Sequence, residues 1–252
     1  MPTLLGNEGK DSVAVLKEPM GSRGTGVFFV RSAEEIHNII DEHKKEAMAK
    51  PNFLDDLIAS KGRIPSWVLQ AEIRPCLLVR DRKKFHIRSY VVGVENWNNE
   101  DYVDTFLYKR HEVRLAKESV PTDQQDDRLT AAHVTNGAKE IELLHQMPEL
   151  SKLQSRLELF IAQIFAKHLI RDISRRVAMG AQDEQVVNAT KFVVAGLDIM
   201  VTENGRLYLL EVNVTPTIPS LEDNAEFDMH LSGLMRDIVD LVVGRPTANF
   251  VS

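Results

Sequence analysis

The chain has 252 residues, 43% of them hydrophobic and 27% charged, which is enough for one large folded domain or two small ones. Its net charge of −6 argues against a general nucleic-acid-binding protein. The single cysteine excludes an internal disulfide. We recognise neither a signal peptide nor an apolar run of the roughly 20 residues that cross a bilayer. We therefore expect a cytoplasmic protein without nucleic-acid or membrane partners.

The first half of the chain is predicted to consist mainly of strands. Strands at 13–17 and 26–30 flank a glycine-rich turn, and Ser32 with Glu35 forms a capping box at the start of a helix. Further strands are expected at 67–73, 76–80, 84–94 and 112–118, and loops at 49–65 and 121–127.

The second half adds helices to the strands. The longest helical pattern covers 151–178, with Ser151 as its predicted N-cap. Its apolar stripe consists of Leu153, Leu157, Phe160, Ile161, Ile164, Phe165 and Ile173. Strands at 191–202 and 206–213 precede a last helix at 224–243. This mixed order predicts an α+β fold with antiparallel sheets and packed helices.

The dipeptide Asn204-Gly205 favours a hairpin with a two-residue type I′ turn. That turn would set Asp198 opposite Glu211, with Asn213 on the same face because side chains alternate along a strand. Two opposed carboxylates repel unless a cation lies between them, and Mg²⁺ prefers oxygen ligands. The pattern predicts a magnesium site at these three residues; a solvent-exposed sheet face is the alternative.

The same register divides the apolar residues of the hairpin between its two faces. It assigns Met200 and Leu209 to the face of the carboxylates. It assigns to the core face Leu197, Ile199, Val201, Leu210 and Val212. A slip of one residue would exchange the faces of a whole strand.

The segment KEPMGSRGTG, residues 17–26, is a candidate phosphate-binding loop. Lys17 ends a strand, and Gly21, Gly24 and Gly26 allow backbone N–H groups to approach an anion closely.

A second cationic segment is KFHIR, residues 84–88, in which Lys84, His86 and Arg88 alternate with apolar residues and so share one face. It lies in the region 61–117, which carries twelve Lys and Arg against seven Asp and Glu. Like charges along a strand favour a bound anion, whereas a solvated edge strand is the alternative.

Three segments in this order resemble the tubulin-tyrosine ligase family of the ATP-grasp superfamily: KEPMGSRGTGVFFV, LQAEIRPCLLVRDRKKFHIRSYVV and AGLDIMVTENGRLYLLEVNVTP. HVTN at 133–136 resembles the family's H-[LV]-T-N segment, and the matches span 15–216. The resemblance implies one ATP-grasp domain over 1–252, with a central nucleotide-binding part at about 1–95 and a metal and catalytic part at about 96–252. Because 16 residues precede Lys17, we expect the usual N-terminal subdomain to be missing.

The resemblance also implies a reaction. Family members use ATP and Mg²⁺ to add tyrosine, glutamate or glycine to an acidic protein C-terminal tail, such as that of tubulin, through an acyl phosphate. A free amino acid would be the second substrate, and the protein would be cytoplasmic and associated with the cytoskeleton. The alternative is a non-catalytic nucleotide-binding or protein-interaction module derived from the same fold.

Site residues are implied by the same resemblance. Nucleotide contacts would come from Lys17, Gly21, Ser22, Arg23, Gly24, Gly26, Gln70, Ala71, Glu72, Ile73, Lys84, His86 and Thr135. Catalysis would use Arg88, Arg114 and Asn136, and metal binding Asp198, Glu211 and Asn213. His86 departs from the family's common K-F-D-[IL]-R pattern, which has aspartate at this position.

Overall fold

The computed structural model describes residues 13–18, 26–49, 66–95, 103–120, 140–165, 192–214, 216, 225–245 and 247–251. The chain divides into two compact units, residues 1–74 with 116–137, and residues 75–115 with 138–252. Both contain antiparallel strands, and the described elements combine such sheets with helices, as predicted. None of the described helices has the length and apolar character required to cross a membrane.

The described part of the first unit contains a small sheet and one helix. In chain order these are β1 (Ala14–Lys17), β2 (Val27–Val30), α1 (Ala33–Met48) and β3 (Val68–Ala71). The strands pair antiparallel in the order β2-β1-β3. Ala14, Leu16 and Val30 form the buried core of this unit, and isoleucines of α1 pack against it.

The predicted cap of α1 is present in modified form. The backbone N–H of Glu35 donates to Ser32 Oγ at 3.1 Å, as a capping box requires. The Glu35 carboxylate, however, accepts from the backbone N–H of Arg31 at 2.7 Å, one residue before the N-cap. The bond to Ser32 satisfies a donor that the helix itself leaves without a partner, whereas the bond to Arg31 ties the preceding residue to the first turn.

The larger sheet belongs to the second unit, apart from residues 116–119 at the end of one strand, which fall in the first unit. The strands of this sheet are β4 (Leu78–Val79), β5 (Lys83–Glu95), β6 (Val103–Tyr108), β7 (Glu112–Ser119), β8 (Ile141–Leu143), β9 (Phe192–Val201), β10 (Leu207–Asn213) and β11 (Phe250–Val251). The main order is β10-β9-β5-β6-β11; β4 and β7 also pair with β5, and β8 pairs with β7. β5 is therefore a central strand, whereas the short β6, β8 and β11 were not predicted from the sequence.

One face of this sheet, the core face, is apolar. It contributes Phe85, Ile87, Val113, Leu197 and Ile199 to the main hydrophobic cluster. Two 3₁₀ helices (Leu144–Gln146 and Pro148–Leu153) and α2 (Gln154–Phe165) cover it. The opposite face, the polar face, carries Lys84, His86, Arg88, Glu112, Arg114, Asp198, Glu211 and Asn213. α3 (Ala225–Val242) packs on an apolar patch of this second face, through Leu234 and Ile238 against Tyr90.

The predicted helix 151–178 begins later than expected. α2 starts at Gln154, and Ser151 lies within the preceding 3₁₀ helix, so Ser151 is not the N-cap of α2. Leu157 and Ile161 face the core as predicted. The predicted part of the helix beyond Phe165 lies outside the described residues.

The β9–β10 hairpin has a different turn from the one predicted. Thr202 pairs with Arg206 through its backbone N–H at 3.0 Å, so the loop has three residues and ends at Gly205 with φ of 75°. A three-residue loop with a left-handed glycine is a standard alternative to the type I′ turn. The prediction of a two-residue turn is therefore wrong.

A β-bulge between Leu209 and Glu211 corrects the register of the hairpin. Leu209 pairs with Ile199 and packs against the core cluster, so its assignment to the carboxylate face is wrong. Leu210 lies at the bulge, whereas Glu211 pairs with Asp198 as predicted.

Candidate active site

Three charged residues form a row across the polar face. Arg88 of β5 is the direct partner of Asp198 on β9, and Asp198 is the direct partner of Glu211 on β10. On the adjacent rung, Gly196 pairs with both Tyr90 and Asn213. Strand pairing therefore brings together the cation, the two carboxylates and the amide that the sequence pattern singled out.

Arg88 and Asp198 form a buried, two-pronged ion pair. Arg88 Nε donates to Asp198 Oδ1, and Nη2 donates to Oδ2 at 2.9 Å. His86 Nε2 lies 3.3 Å from the same Oδ1. Burial alone would raise the pKa of the Asp198 carboxyl, but the contacts with His86 and Arg88 outweigh burial and hold this pKa well below its usual range. Asp198 is therefore a fixed anion.

Burial decides between the two interpretations of the KFHIR segment. Lys84, His86 and Arg88 are 6%, 1% and 4% exposed, and they lie on a strand with neighbours on both sides. The solvated edge strand is therefore wrong. The cationic face is compensated at least in part by Asp198, a partner 110 residues away along the chain.

Glu211 and Asn213 are half-buried and complete the oxygen-rich part of the row. Asn213 Nδ2 donates to Glu211 Oε1 at 3.0 Å and to Asp198 Oδ2 at 3.4 Å. The two carboxylates thus approach a single atom, and rotation of the amide would present its oxygen at the same place. Oxygens so arranged suit Mg²⁺, which takes few protein ligands and completes its shell with water and phosphate. Among the described residues, no three or more His, Cys, Asp and Glu side chains form a cluster suited to a metal, so the magnesium site at this row stays a prediction.

Gly196 allows the Arg88 side chain to lie flat on β9. A Cβ at Gly196 would stand 3.2 Å from both Cδ and Nη1 of Arg88, and 2.9 Å from Cβ of Pro216. Pro216 belongs to the EVNVTP segment. The glycine of the G-x-D pattern therefore leaves the space that the guanidinium and this proline occupy.

Gly196→Ala is expected to lower the free energy of unfolding by about 1–3 kcal/mol, because an added methyl group in a packed site forces neighbouring atoms to shift. The matched control is Gly233→Ala in α3, where the nearest atom to a new Cβ, Tyr108 Oη, is at an ordinary 3.7 Å. The control should be neutral or stabilising, since alanine is the better helix former. Urea unfolding measures both; equal effects of the two changes would contradict this explanation of Gly196.

A second buried charge cluster surrounds Arg114. Its Nη2 and Nε donate to Glu112 Oε2 at 2.7 and 3.0 Å. The other oxygen, Oε1, lies 3.6 Å from His230 Nε2 of α3. Tyr90 Oη accepts from Arg114 Nη2 at 3.5 Å. Sequence reasoning identified Arg114 but missed Glu112, Tyr90 and His230.

Part of this cluster was visible in the sequence. Glu112 and Arg114 are two residues apart on one strand, so they share a face and can form an ion pair. No local sequence signal identifies His230, because it lies on a helix more than one hundred residues after Glu112 in the chain.

His111 lies beside this cluster and is 1% exposed, with Nδ1 3.0 Å from Ser89 Oγ. Burial, and secondarily the nearby His230, lower the pKa of His111 from 6.5 to about 4. The folded protein therefore holds this imidazole neutral at pH values where the unfolded chain would protonate it.

The free energy of unfolding is expected to fall as the pH is lowered from about 6.5 towards 4. The stabilising contribution is complete above the unfolded pKa and is lost as the pH drops through the folded one, since the unfolded state then binds more protons. His111→Asn should flatten this part of the profile, whereas His145→Asn, at an exposed position, should leave it unchanged. Urea unfolding at pH 7.5, 6 and 5 measures the slope; parallel profiles for all three proteins would contradict the assignment.

The first unit positions the remaining described candidates. Lys17 ends β1, and the backbone N–H of Glu18 donates to Gly26 O at 2.7 Å where the loop returns. Gly26 has φ of 73°, and a Cβ there would stand 2.6 Å from atoms of Glu18, so this position requires glycine. Gln70 and Ala71 pair with β1, and the N–H of Glu72 donates to Val13 O at 3.2 Å.

Several candidates lie outside the described residues: Gly21, Ser22, Arg23, Gly24, Thr135 and Asn136. Their implied contacts with nucleotide or acceptor stay predictions. The same holds for the nucleotide contacts of the described candidates, which are Lys17, Gly26, Gln70, Ala71, Glu72, Ile73, Lys84 and His86.

The sequence of the chain is similar to curated proteins named as probable tubulin ligases and polyglutamylases. A probable tubulin–tyrosine ligase of Schizosaccharomyces pombe is 23% identical over 245 residues, covering 91% of this chain and 56% of that protein. A probable alpha-tubulin polyglutamylase of Tetrahymena thermophila is 22% identical, covering 91% and 54%. A probable tubulin polyglutamylase of Caenorhabditis elegans is 23% identical, covering 92% and 52%. The chain thus spans about half the length of these relatives.

A family model agrees with these pairwise similarities. The model of the tubulin-tyrosine ligase family matches residues 5–249, which is nearly the whole chain and includes the Arg88–Asp198–Glu211 row. The chain therefore belongs to the tubulin-tyrosine ligase family.

Proposed function

We propose that this protein is an ATP-dependent ligase that joins a free amino acid to a carboxylate of an acidic protein tail. The observation that carries the proposal is the row formed by Arg88, Asp198 and Glu211, in which two carboxylates and one guanidinium are fixed on adjacent strands. Membership of a family whose relatives include tubulin ligases and polyglutamylases supports ligation as the reaction class.

In the proposed reaction an oxygen of the tail carboxylate attacks the γ-phosphorus of ATP, the bond to the β–γ bridging oxygen breaks, and ADP leaves. The amine of the free amino acid then attacks the acyl carbon, inorganic phosphate leaves, and a proton passes to solvent. Fixed positive charges accelerate such a transfer by balancing charge on the transferred phosphoryl group. Bound Mg²⁺ would supply further charge neutralisation at the phosphates.

The protein's own residues would divide this work. Asp198, Glu211 and Asn213 would hold the metal through oxygen atoms. Arg88 and Arg114 would contact the transferred phosphoryl group. Their described ion pairs use Nε and Nη2 and do not use Nη1, which would serve as the phosphate donor. In the first unit, Lys17 and Gly26 are further proposed nucleotide contacts.

The proposed acceptor is an acidic tail, with tubulin as the candidate that the relatives' names suggest. The region 61–117 has an excess of Lys and Arg in an otherwise acidic chain, and its Arg82 and Arg110 are exposed, although carboxylates outside the region pair with Arg80, Lys83 and Arg88. Such a region attracts an acidic peptide electrostatically, and the attraction weakens with salt. The nucleotide would lie in an ATP-grasp fold, with the central nucleotide-binding part at about 1–95.

A non-catalytic nucleotide-binding module is the second candidate. It is favoured by the ion pair of Asp198, which Arg88 already compensates without a metal ion. His86 occupies the position at which the family commonly has aspartate, so this chain has one carboxylate fewer at that place.

Calorimetric titration with ATP, with and without Mg²⁺, tests the proposal together with a ligation assay. The assay would supply a glutamate-rich peptide ending in a tubulin-like tail, each of tyrosine, glutamate and glycine in turn, and would follow ADP release and peptide mass. Magnesium-dependent binding with ADP release and a mass increase supports the ligase. Binding without a product supports the second candidate, and no binding by the folded chain contradicts both.

A further inference from the structure

Arg114 is held by a carboxylate that is itself fully enclosed. Glu112 is 0% exposed and Arg114 7% exposed. Both bonds from the guanidinium go to the single oxygen Oε2 of Glu112. Charge-assisted bonds of this kind fix a guanidinium in direction as well as in position.

The second oxygen of Glu112 faces a different element. Oε1 lies 3.6 Å from Nε2 of His230, which is 1% exposed on α3. Burial alone would raise the pKa of the Glu112 carboxyl, but His230 and Arg114 outweigh burial and lower it, so the group stays ionised. Glu112 therefore holds the arginine of the sheet by hydrogen bonds, while its Oε1 packs near the histidine of the helix without a hydrogen bond.

His230 is itself held by packing. Its ring lies 5.7 Å from the ring centroids of both Tyr108 and Phe227, and the next turns of α3 are anchored by Leu234 and Ile238. The side chain has little freedom to leave Glu112. The position of α3 on the sheet is thereby linked to the orientation of Arg114.

The cluster around Arg114 contains the same kinds of side chain as the cluster around Arg88. In each case a buried carboxylate accepts from Nε and Nη2 of an arginine and lies within 3.6 Å of a histidine ring nitrogen. The first group consists of Asp198, Arg88 and His86. The second consists of Glu112, Arg114 and His230. In the first group the carboxylate is also a proposed metal ligand. In the second, Glu112 is enclosed, which leaves it the role of holding the arginine.

We infer that Glu112 and His230 are positioning residues for Arg114, so that α3 sets the direction of the guanidinium that contacts the transferred phosphoryl group. This inference rests on the proposed function for its catalytic consequence. The structural part of the inference is that Glu112 immobilises Arg114, and it can be tested without an activity assay.

The structural test uses the side-chain Nε–H signals of arginine in nuclear magnetic resonance spectra of the ¹⁵N-labelled protein. The wild type should show a slowly exchanging signal from Arg114, identified by its loss in Arg114→Lys. Glu112→Gln should abolish the protection of this signal while the Arg88 signal persists. His230→Leu should weaken the protection without abolishing it. An Arg114 signal that is equally protected in Glu112→Gln would overturn the inference whether or not the protein is a ligase.

The catalytic test is a double-mutant cycle in the ligation assay. A guanidinium that is no longer aligned should reduce kcat about tenfold or more in Glu112→Gln, with KM for ATP changed less than about threefold, since alignment affects the transfer step more than binding. In an Arg114→Ala background the same change should alter kcat less than about twofold, because Glu112 acts only through Arg114. Glu112→Asp should retain more activity than Glu112→Gln.

The matched control is Glu142→Gln. Glu142 lies on β8, the strand next to β7, and the change removes the carboxylate that pairs with Arg80. It should leave both kcat and the Arg114 signal unchanged. If the effects of Glu112→Gln and Arg114→Ala on kcat are fully additive, the positioning role is overturned. It is also overturned if the activity of Glu112→Gln falls only as much as its folded fraction, measured by thermal melting. A wild type that neither binds Mg²⁺–ATP nor ligates would reject the proposed function, and the spectra would still decide the structural part.

Discussion

Glu211→Gln is expected to reduce Mg²⁺-dependent ATP turnover about 100-fold or more while leaving the protein folded. The size follows from losing a carboxylate ligand of the proposed magnesium ion, whose positive charge would neutralise the transferred phosphoryl group. The fold should persist because Glu211 is half-buried and its described partner, Asn213 Nδ2, can still donate to the glutamine oxygen. Turnover is measured by ADP release, and folding by circular dichroism and thermal melting.

Glu203→Gln is the matched control for this experiment. Glu203 is exposed in the three-residue loop of the same hairpin, so the change has the same chemistry without contact to the row. The control should keep wild-type turnover. Unchanged turnover in Glu211→Gln, or equal losses in both variants, would contradict the metal assignment. Asp198→Asn is a poorer test, because Asp198 also compensates Arg88 and its loss would disturb folding.

Arg88→Met is expected to destabilise the protein by about 3–5 kcal/mol. Removing one partner of a buried ion pair leaves the other charge without compensation, and here the remaining charge would be Asp198, which is 2% exposed. The second change Asp198→Asn in the same chain should restore part of the lost stability, because it removes the uncompensated charge. Urea unfolding of the two single variants and the double variant measures the coupling.

Arg80→Met provides the comparison for Arg88→Met. Arg80 pairs with Glu142, but its side chain is 46% exposed, and exposed pairs contribute at most about 1 kcal/mol. A cost for Arg88→Met as small as that of Arg80→Met would show that the buried pair does not stabilise this sheet. A double variant no more stable than Arg88→Met would show that Asp198 has another partner after the arginine is lost.

The position of His86 next to Asp198 explains why a histidine fits at this site. Its Nε2 lies 3.3 Å from Asp198 Oδ1, so it adds a hydrogen-bonding group beside the Arg88 pair. An aspartate at position 86 would instead place a carboxylate against the carboxylate of Asp198. Such a pair requires a cation between its members. Histidine at this position therefore avoids placing a second carboxylate against Asp198.

The sequence alone predicted which side chains share a face. Alternation along two strands grouped Asp198, Glu211 and Asn213, and alternation along KFHIR grouped Arg88 with His86. These inferences succeed because the period of a strand is a local property of the chain. The strands β8 and β11, of three and two residues, escaped prediction because segments this short carry little periodic signal and are defined by pairing. The six-residue β6 was also missed, although shorter strands were predicted.

In the β9–β10 hairpin, local sequence signals predicted the position of the turn but not its length. Asn204-Gly205 identified the position of the turn, yet the loop has three residues, and the bulge after Leu209 brings Glu211 back opposite Asp198. The predicted pairing of the carboxylates is confirmed, but the turn on which it was argued is wrong. A bulge is a response to neighbouring strands and has no strong local signature.

Tertiary structure alone decided how the charges are compensated. The periodicity of one strand cannot reveal that Arg88 meets Asp198 across β5 and β9, nor that His230 of α3 meets Glu112. It also cannot reveal that β5 is central and its cationic face buried. Periodicity reports which residues of a segment share a face, whereas partners distant in sequence are chosen by strand order and helix packing, where buried charges must find opposite charges to avoid a large desolvation cost.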